Sequence, residues 1–205
     1  MEMSSKSDYD YYLMINDDVV FFENMWDSMI EAFKNNDCVG TVGSTISKET
    51  GKQTYGGMKF TKYKNNFLTG NLITPSENKF LYCDLANWNC FLIDSNVLKS
   101  VGLINPLYEH SLGDFDYSLR MRNQDINIMI AKHYVGYCET NNIKGTFRDP
   151  ELSFFKRTKL MVKPNGFPLK SWYHYTKTHY DKFWLKNFVV PYIRSMFCFF
   201  AHKKC

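Results

Sequence analysis

Three segments near the front of the chain set the terms for the rest. Tyr9 to Ile15 (YDYYLMI) is short, aromatic and apolar, and reads as a buried strand. Phe22 to Asn35 follows with apolar residues at Phe22, Met25, Trp26, Met29, Ile30 and Phe33, a one-sided helical spacing. Val39 to Ile46 reads as a second strand. Strand, helix, strand is the rhythm of an α/β fold.

The same reading carries forward. Thr50-Gly51 marks a turn, with a hairpin around it. Asn65 to Asn78 is polar, contains Gly70 and Pro75, and reads as loop. Asn89 to Ile93 reads as a strand, and Ser95 to Val101 as a helix ending at Gly102. Gly113 to Asn123 opens with acids and closes with Arg120 and Arg122, which suits the helix dipole and places a helix start at Asp114. Ile126 to Ile130 reads as a further strand. Beyond Lys144, helices are predicted at Leu152–Val162, Leu169–His179 and Trp184–Ala201, the first two separated by KPNGFP. The last is apolar but broken by Pro191 and Arg194, too short for a membrane span of roughly 20 residues.

Charge divides the chain. Residues 1–139 hold 12 Lys and Arg against 18 Asp and Glu, whereas residues 140–205 hold 13 against 3. The expected organisation is therefore a body over 1–140 and a basic, aromatic helical tail over 141–205. Phe183, Trp184, Phe188, Tyr192, Phe197, Phe199 and Phe200 lie among Lys182, Lys186, Arg194, Lys203 and Lys204. That mixture suits peripheral contact with a membrane surface, or helix packing against the body. It carries no RNA-binding motif, so no nucleic-acid partner is expected. His174 and His179 read as solvated helix residues. The six cysteines (Cys38, Cys83, Cys90, Cys138, Cys198 and Cys205) never fall at CxxC spacing. No secretory leader is read ahead of them, so reduced thiols in the cytoplasm are expected.

Two acidic sites bear on chemistry. Asn16-Asp17-Asp18 ends the first strand. Strand alternation puts Asn16 and Asp18 on one side, with Asp17 on the other. Ligands in open α/β sheets bind beyond the carboxyl ends of strands. Oxygen ligands there suit magnesium or manganese holding a diphosphate. A solvated turn or a helix cap explains the same residues. In HSLGDFDYSLR, Asp116 and Arg120 are spaced to pair on a helix surface, with Phe115 and Leu119 facing the core. Asp114 is left without an obvious partner, and reads either as a cap or as a general base.

These segments in order resemble a known family. Asn16-Asp17-Asp18, the TGK turn and YGG, NWNCFLIDSNVLKSVGLINP, HSLGDFDYSLRMR and INIMIAKHYVGYCETN resemble family 2 glycosyltransferases, in the rhamnosyltransferase-like branch. GTFRDPELSFFKR and the pattern Trp172–His179 resemble that branch as well. The resemblance covers nearly the whole chain. It implies a partial GT-A (Rossmann-like) mixed sheet with flanking helices, followed by a helical basic C-terminal segment. It implies Asp18 as metal ligand, Asn16 and Asp17 near the ribose and diphosphate, Asn87 and Asn89 at the donor or acceptor sugar, and Asp114 as catalytic base. The implied cofactor is Mn2+ or Mg2+. The implied partners are a nucleotide-sugar donor and a glycan or lipid-linked acceptor hydroxyl, with inverting transfer.

The sequence departs from that pattern in four places. The motif is N-D-D rather than D-x-D, Trp88 stands where the family usually has Gly, and neither Tyr137 nor Cys138 is the histidine some relatives carry there. Trp88 is expected to crowd or stack on the sugar pocket. The strands that precede the metal strand in the family are not present ahead of Tyr9. A partner chain supplying them is expected, and the alternatives are a weakly active fragment, an accessory subunit or a peripheral membrane module.

Overall fold

Cys90-Phe91-Leu92-Ile93 is an unbroken apolar run because both faces of its strand are covered. The computed structural model describes residues 9–34, 39–62, 68–108 and 112–200, apart from the side chains of 61, 62, 68, 69 and 196–200. Strands are β1 (Tyr11–Ile15), β2 (Val20–Phe21), β3 (Gly40–Ile46), β4 (Gln53–Tyr55), β5 (Gly57–Lys62), β6 (Leu68–Leu72), β7 (Leu81–Cys83), β8 (Leu85–Ala86), β9 (Cys90–Asp94) and β10 (Ile128–Tyr137). Helices are α1 (Met25–Ile30), α2 (Ser95–Val101), α3 (Gly113–Arg122), α4 (Phe154–Met161), α5 (Leu169–His179) and α6 (Trp184–Phe200).

Cys90 and Leu92 of β9 pack with Met29 of α1, together with Ala131 and Val135 of β10. Phe91 and Ile93 point the other way, into a cluster with Val97, Leu98 and Val101 of α2 and Tyr117 and Met121 of α3. Period-two alternation thus feeds two cores from one strand. Full burial of a side chain such as Met29 contributes about 2 kcal/mol. The chain is α/β, a mixed sheet of parallel and antiparallel strands flanked by helices, consistent with a partial Rossmann-like fold.

The main sheet runs β1-β9-β3-β10-β2, with β4 on β3 and β7 on β10. β9 is antiparallel to β1 and to β3, while β3 and β10 are parallel. So β1, β3 and β10 end at the same edge, where β9 begins. A second sheet has the order β6-β5-β8. Among the described residues, no strand pairs on the outer side of β1, where Tyr11 and Ile15 are exposed.

Several elements differ from the sequence reading. The helix over 22–35 is the six-residue α1 continued by a 3-10 turn at Glu31–Lys34, and Asn35 lies outside the described residues. Trp26, assigned to its apolar face, is exposed. Part of the expected loop at 65–78 is strand β6, while 65–67 lie outside the described residues. The strand over 126–130 continues to Tyr137. The Thr50-Gly51 hairpin joins β3 to β4, with Gly51 at φ 67°. Asp116 and Arg120 pair at 2.9 Å, but Asp116 is buried, not at the surface. Arg120 also donates to the carbonyls of Val101 and Leu103, so the pair ties α3 to the end of α2. Leu119 is buried as expected and Phe115 is half-buried, while Tyr117, Ser118 and Met121 are the deepest side chains of α3.

The described residues fall into two compact units. One comprises residues within Met1–Thr61, Leu68–Ile104 and Asp114–Thr140; the other, residues within Lys62–Phe67, Asn105–Gly113 and Asn141–Cys205. In the second unit, Trp172 is buried with its ring 4.9 Å from Phe167 and 5.7 Å from Tyr175, and its indole N–H donates to the Phe188 carbonyl. His174 bonds the Tyr108 hydroxyl through Nδ1 at 2.9 Å, and the His179 ring lies on Tyr175, so neither is a solvated helix residue. Asn187 is fully buried, and its side-chain amide has no partner among the described residues. No described helix is long and apolar enough to cross a membrane.

Candidate functional site

At the edge where β1, β3 and β10 end, polar side chains gather. β1 stops at Ile15, and Asn16-Asp17-Asp18 turns into β2. All three are exposed. Because the chain turns here, strand alternation does not orient Asn16 and Asp18. Instead the Asn16 backbone N–H donates to the Asn89 carbonyl at 3.3 Å, and the Asp18 carboxylate engages the Cys138 thiol. The turn is steered by Gly136, where a Cβ would lie 2.5 Å from the Val20 carbonyl oxygen. Only glycine lets β2 approach β10 so closely.

Asn87-Trp88-Asn89 enters β9 and links two polar groupings. Asn89 is buried, and its Nδ2 donates to Cys138 Sγ at 3.4 Å. Burial first, and the Asp18 charge second, hold the Cys138 thiol above its ordinary value, so the thiol stays protonated beside Asp18. The Asn87 side chain hydrogen-bonds the Asp114 carboxylate. Its Oδ1 accepts from the Gly56 N–H at 3.4 Å, and the Asn87 backbone N–H donates to the Gly56 carbonyl at 3.2 Å. Gly56 has φ 147°, which a side chain would strain. Asp114 therefore has a partner, unlike the sequence reading. The Trp88 ring, between Asn87 and Asn89, is partly buried against the core, stacked on Phe91 at 5.8 Å and meeting Tyr117 at 5.2 Å.

Asp114 sits in the first turn of α3, half-buried. Its Oδ1 accepts the Phe115 N–H at 2.9 Å. Burial pushes the carboxyl up to about 6, against the lowering pull of the Phe115 N–H and Asn87. A carboxyl so tuned is ionised at neutral pH yet basic enough to accept a proton. Sequence reasoning missed Cys138 and Glu139, although they follow the apolar end of β10 as the acids follow β1. Glu139 is held below the usual carboxylate range by the Ser47 hydroxyl and the backbone N–H groups of Lys48 and Glu49, and accepts the Lys48 N–H at 2.7 Å. It pins the β3–β4 turn to the same edge.

Among the described residues, no three His, Cys, Asp or Glu side chains cluster to cage a metal. One or two exposed carboxylates on a strand-end turn fit an ion whose remaining ligands are diphosphate oxygens and water. They do not fit a structural metal held by protein alone. His133 is exposed and lies 3.9 Å from Glu77, apart from these contacts. Comparison of the chain with protein-family models and with curated proteins yields no match.

Proposed function

We propose that the chain is a metal-dependent glycosyltransferase, or part of one, that moves a sugar from a nucleoside diphosphate to an acceptor hydroxyl with inversion. One observation carries the reading. Asn87 and Asn89, two residues apart, contact Asp114 and the Cys138 thiol that meets Asp18, so a prospective base and a prospective metal ligand share one scaffold. The motif resemblance supplies the reaction class.

Asp18 would hold Mn2+ or Mg2+, with Asn16 and Asp17 near the ribose and diphosphate. When bound, the ion offsets the charge of the departing diphosphate. Asp114 takes the proton from the acceptor hydroxyl as that oxygen attacks the anomeric carbon. Asn87 holds the Asp114 carboxylate in place. Asn89 and Cys138 restrain Asp18 from behind. A strand from a partner chain pairs with the free edge of β1 and completes the nucleotide pocket. The chain is placed in the cytoplasm, with the basic helical segment at a membrane surface that carries a lipid-linked acceptor. The alternative is a binding or accessory subunit with weak turnover, favoured by the edge of β1 on which no strand pairs among the described residues.

The test is a panel of nucleotide sugars with manganese, scored for hydrolysis and transfer in wild type and Asp114→Asn. Metal-dependent turnover that falls roughly a hundredfold or more in the variant is expected. Metal-dependent binding without turnover in either protein would leave only the accessory role, and no binding of any donor would end the reading.

A further inference from the structure

Helix α6 presents two apolar faces. One is spent within its own unit. The Phe188 ring meets Tyr173 at 5.8 Å and Tyr192 at 5.7 Å, and the Tyr192 hydroxyl donates to the Phe167 carbonyl. The other face is exposed among the described residues. Leu185, Val189 and Ile193 recur every four residues, so they form one stripe along the helix. They are 56%, 36% and 44% exposed.

Positive charge borders this stripe. Lys182, Lys186 and Arg194 are all exposed. From residue 170 to 205 the sequence holds seven Lys and Arg and a single acid, Asp181. An aliphatic stripe flanked by cations matches an anionic lipid surface, where acyl chains take the stripe and headgroups take the ammonium and guanidinium groups. A protein partner with an acidic rim would need a groove of matching shape, whereas a bilayer needs only the stripe and the charge.

We propose that Leu185, Val189 and Ile193 are the residues that enter an anionic bilayer, with Lys182, Lys186 and Arg194 at headgroup level. This rests on the membrane part of the functional reading and refines it. Phe188 and Tyr192, which the sequence offers as membrane contacts, face inward instead, and Trp184 meets Tyr173 on the same packed side. The side chains of Phe197, Phe199 and Phe200, with Lys203 and Lys204, lie outside the described residues.

The experiment uses the full chain and vesicles of phosphatidylcholine with and without phosphatidylserine. Co-sedimentation is measured for wild type, for the triple variant L185Q/V189Q/I193Q and for K186Q. The three substitutions lie on an exposed face, and circular dichroism checks that the fold survives. Wild type should bind the anionic vesicles and release them with salt. The triple variant should lose on the order of a hundredfold in affinity, and K186Q about fivefold. If wild type binds and the triple variant binds equally, the stripe is the wrong face though the membrane reading stands. If wild type binds neither vesicle, both fail. A wild-type dimer that becomes monomeric in the triple variant would assign the stripe to a second copy of the chain and overturn the proposal.

Discussion

Replacing Asp114 by asparagine should stabilise this protein while disabling it. Burial moves the carboxyl from 3.8 to about 6. At about 1.4 kcal/mol per pH unit, that displacement corresponds to a cost of about 3 kcal/mol for the ionised form. The side chain is half-buried, so solvent screening reduces the expected figure to about 2 kcal/mol. The cost depends on pH. Well below 3.8 the group is protonated in folded and unfolded chains alike, and nothing is lost. Between 3.8 and about 6 the unfolded chain releases its proton first, so stability falls as pH rises. Above about 6 the full cost is present. Asp114→Asn keeps an oxygen for Asn87 and for the Phe115 N–H but carries no charge. Urea unfolding at pH 8 should therefore show the variant more stable by about 2 kcal/mol, and at pH 4 by less than about 0.5 kcal/mol. A variant less stable at pH 8, or a difference flat across this range, would refute the burial argument. In wild type the acid limb of kcat/KM should fall near pH 6.

Other outcomes follow from the packing. Arg120→Ala removes the cation from buried Asp116 and frees two carbonyls at the end of α2, so chemical denaturation should register a loss of about 3 kcal/mol. Asn187→Leu replaces a buried amide that has no partner among the described residues with an apolar side chain of similar size, and calorimetry should show a gain of about 1 kcal/mol. Gly136→Ala forces a methyl against the Val20 carbonyl, and proton–deuterium exchange should report faster opening of β2 and the 16–18 turn. Size-exclusion chromatography of the purified chain should reveal self-association through the β1 edge, relieved by Leu13→Pro; a strict monomer would count against a paired edge.

Much of the fold was legible because the strongest signals are non-local in cause but local in pattern. Cys90-Phe91-Leu92-Ile93 is apolar at every position because α1 covers one face and α2 and α3 the other. The span of α2, Ser95 to Val101, could be read from Asp94, whose side chain accepts the Asn96 N–H, and from Gly102. Strands β2 and β8, two residues each, have no period to detect. Lys132 and His133 interrupt the apolar run of β10 and hide its second half. Asp116 and Arg120 fit the surface-pair spacing, but nothing in spacing reveals that Arg120 reaches the α2 carbonyls and is drawn inward with Asp116. At the site, Asn16 meets Asn89 through the backbone and Asn87 meets Asp114 through its side chain. Cys138 was invisible as a bridge, because it takes the pairing of β10 with both β2 and β3 to bring its end beside Asp18 and Asn89.

The central claim is that Asp18 binds a metal–diphosphate at the common end of β1, β3 and β10. Calorimetric titration of the full chain with UDP, GDP and dTDP, each with and without manganese, tests it most directly. Wild type should bind at least one diphosphate only when manganese is present. Asp18→Ala should lose that binding while unfolding at the same denaturant concentration as wild type, since Asp18 is exposed. Equal manganese-dependent affinity in the two proteins would contradict the account.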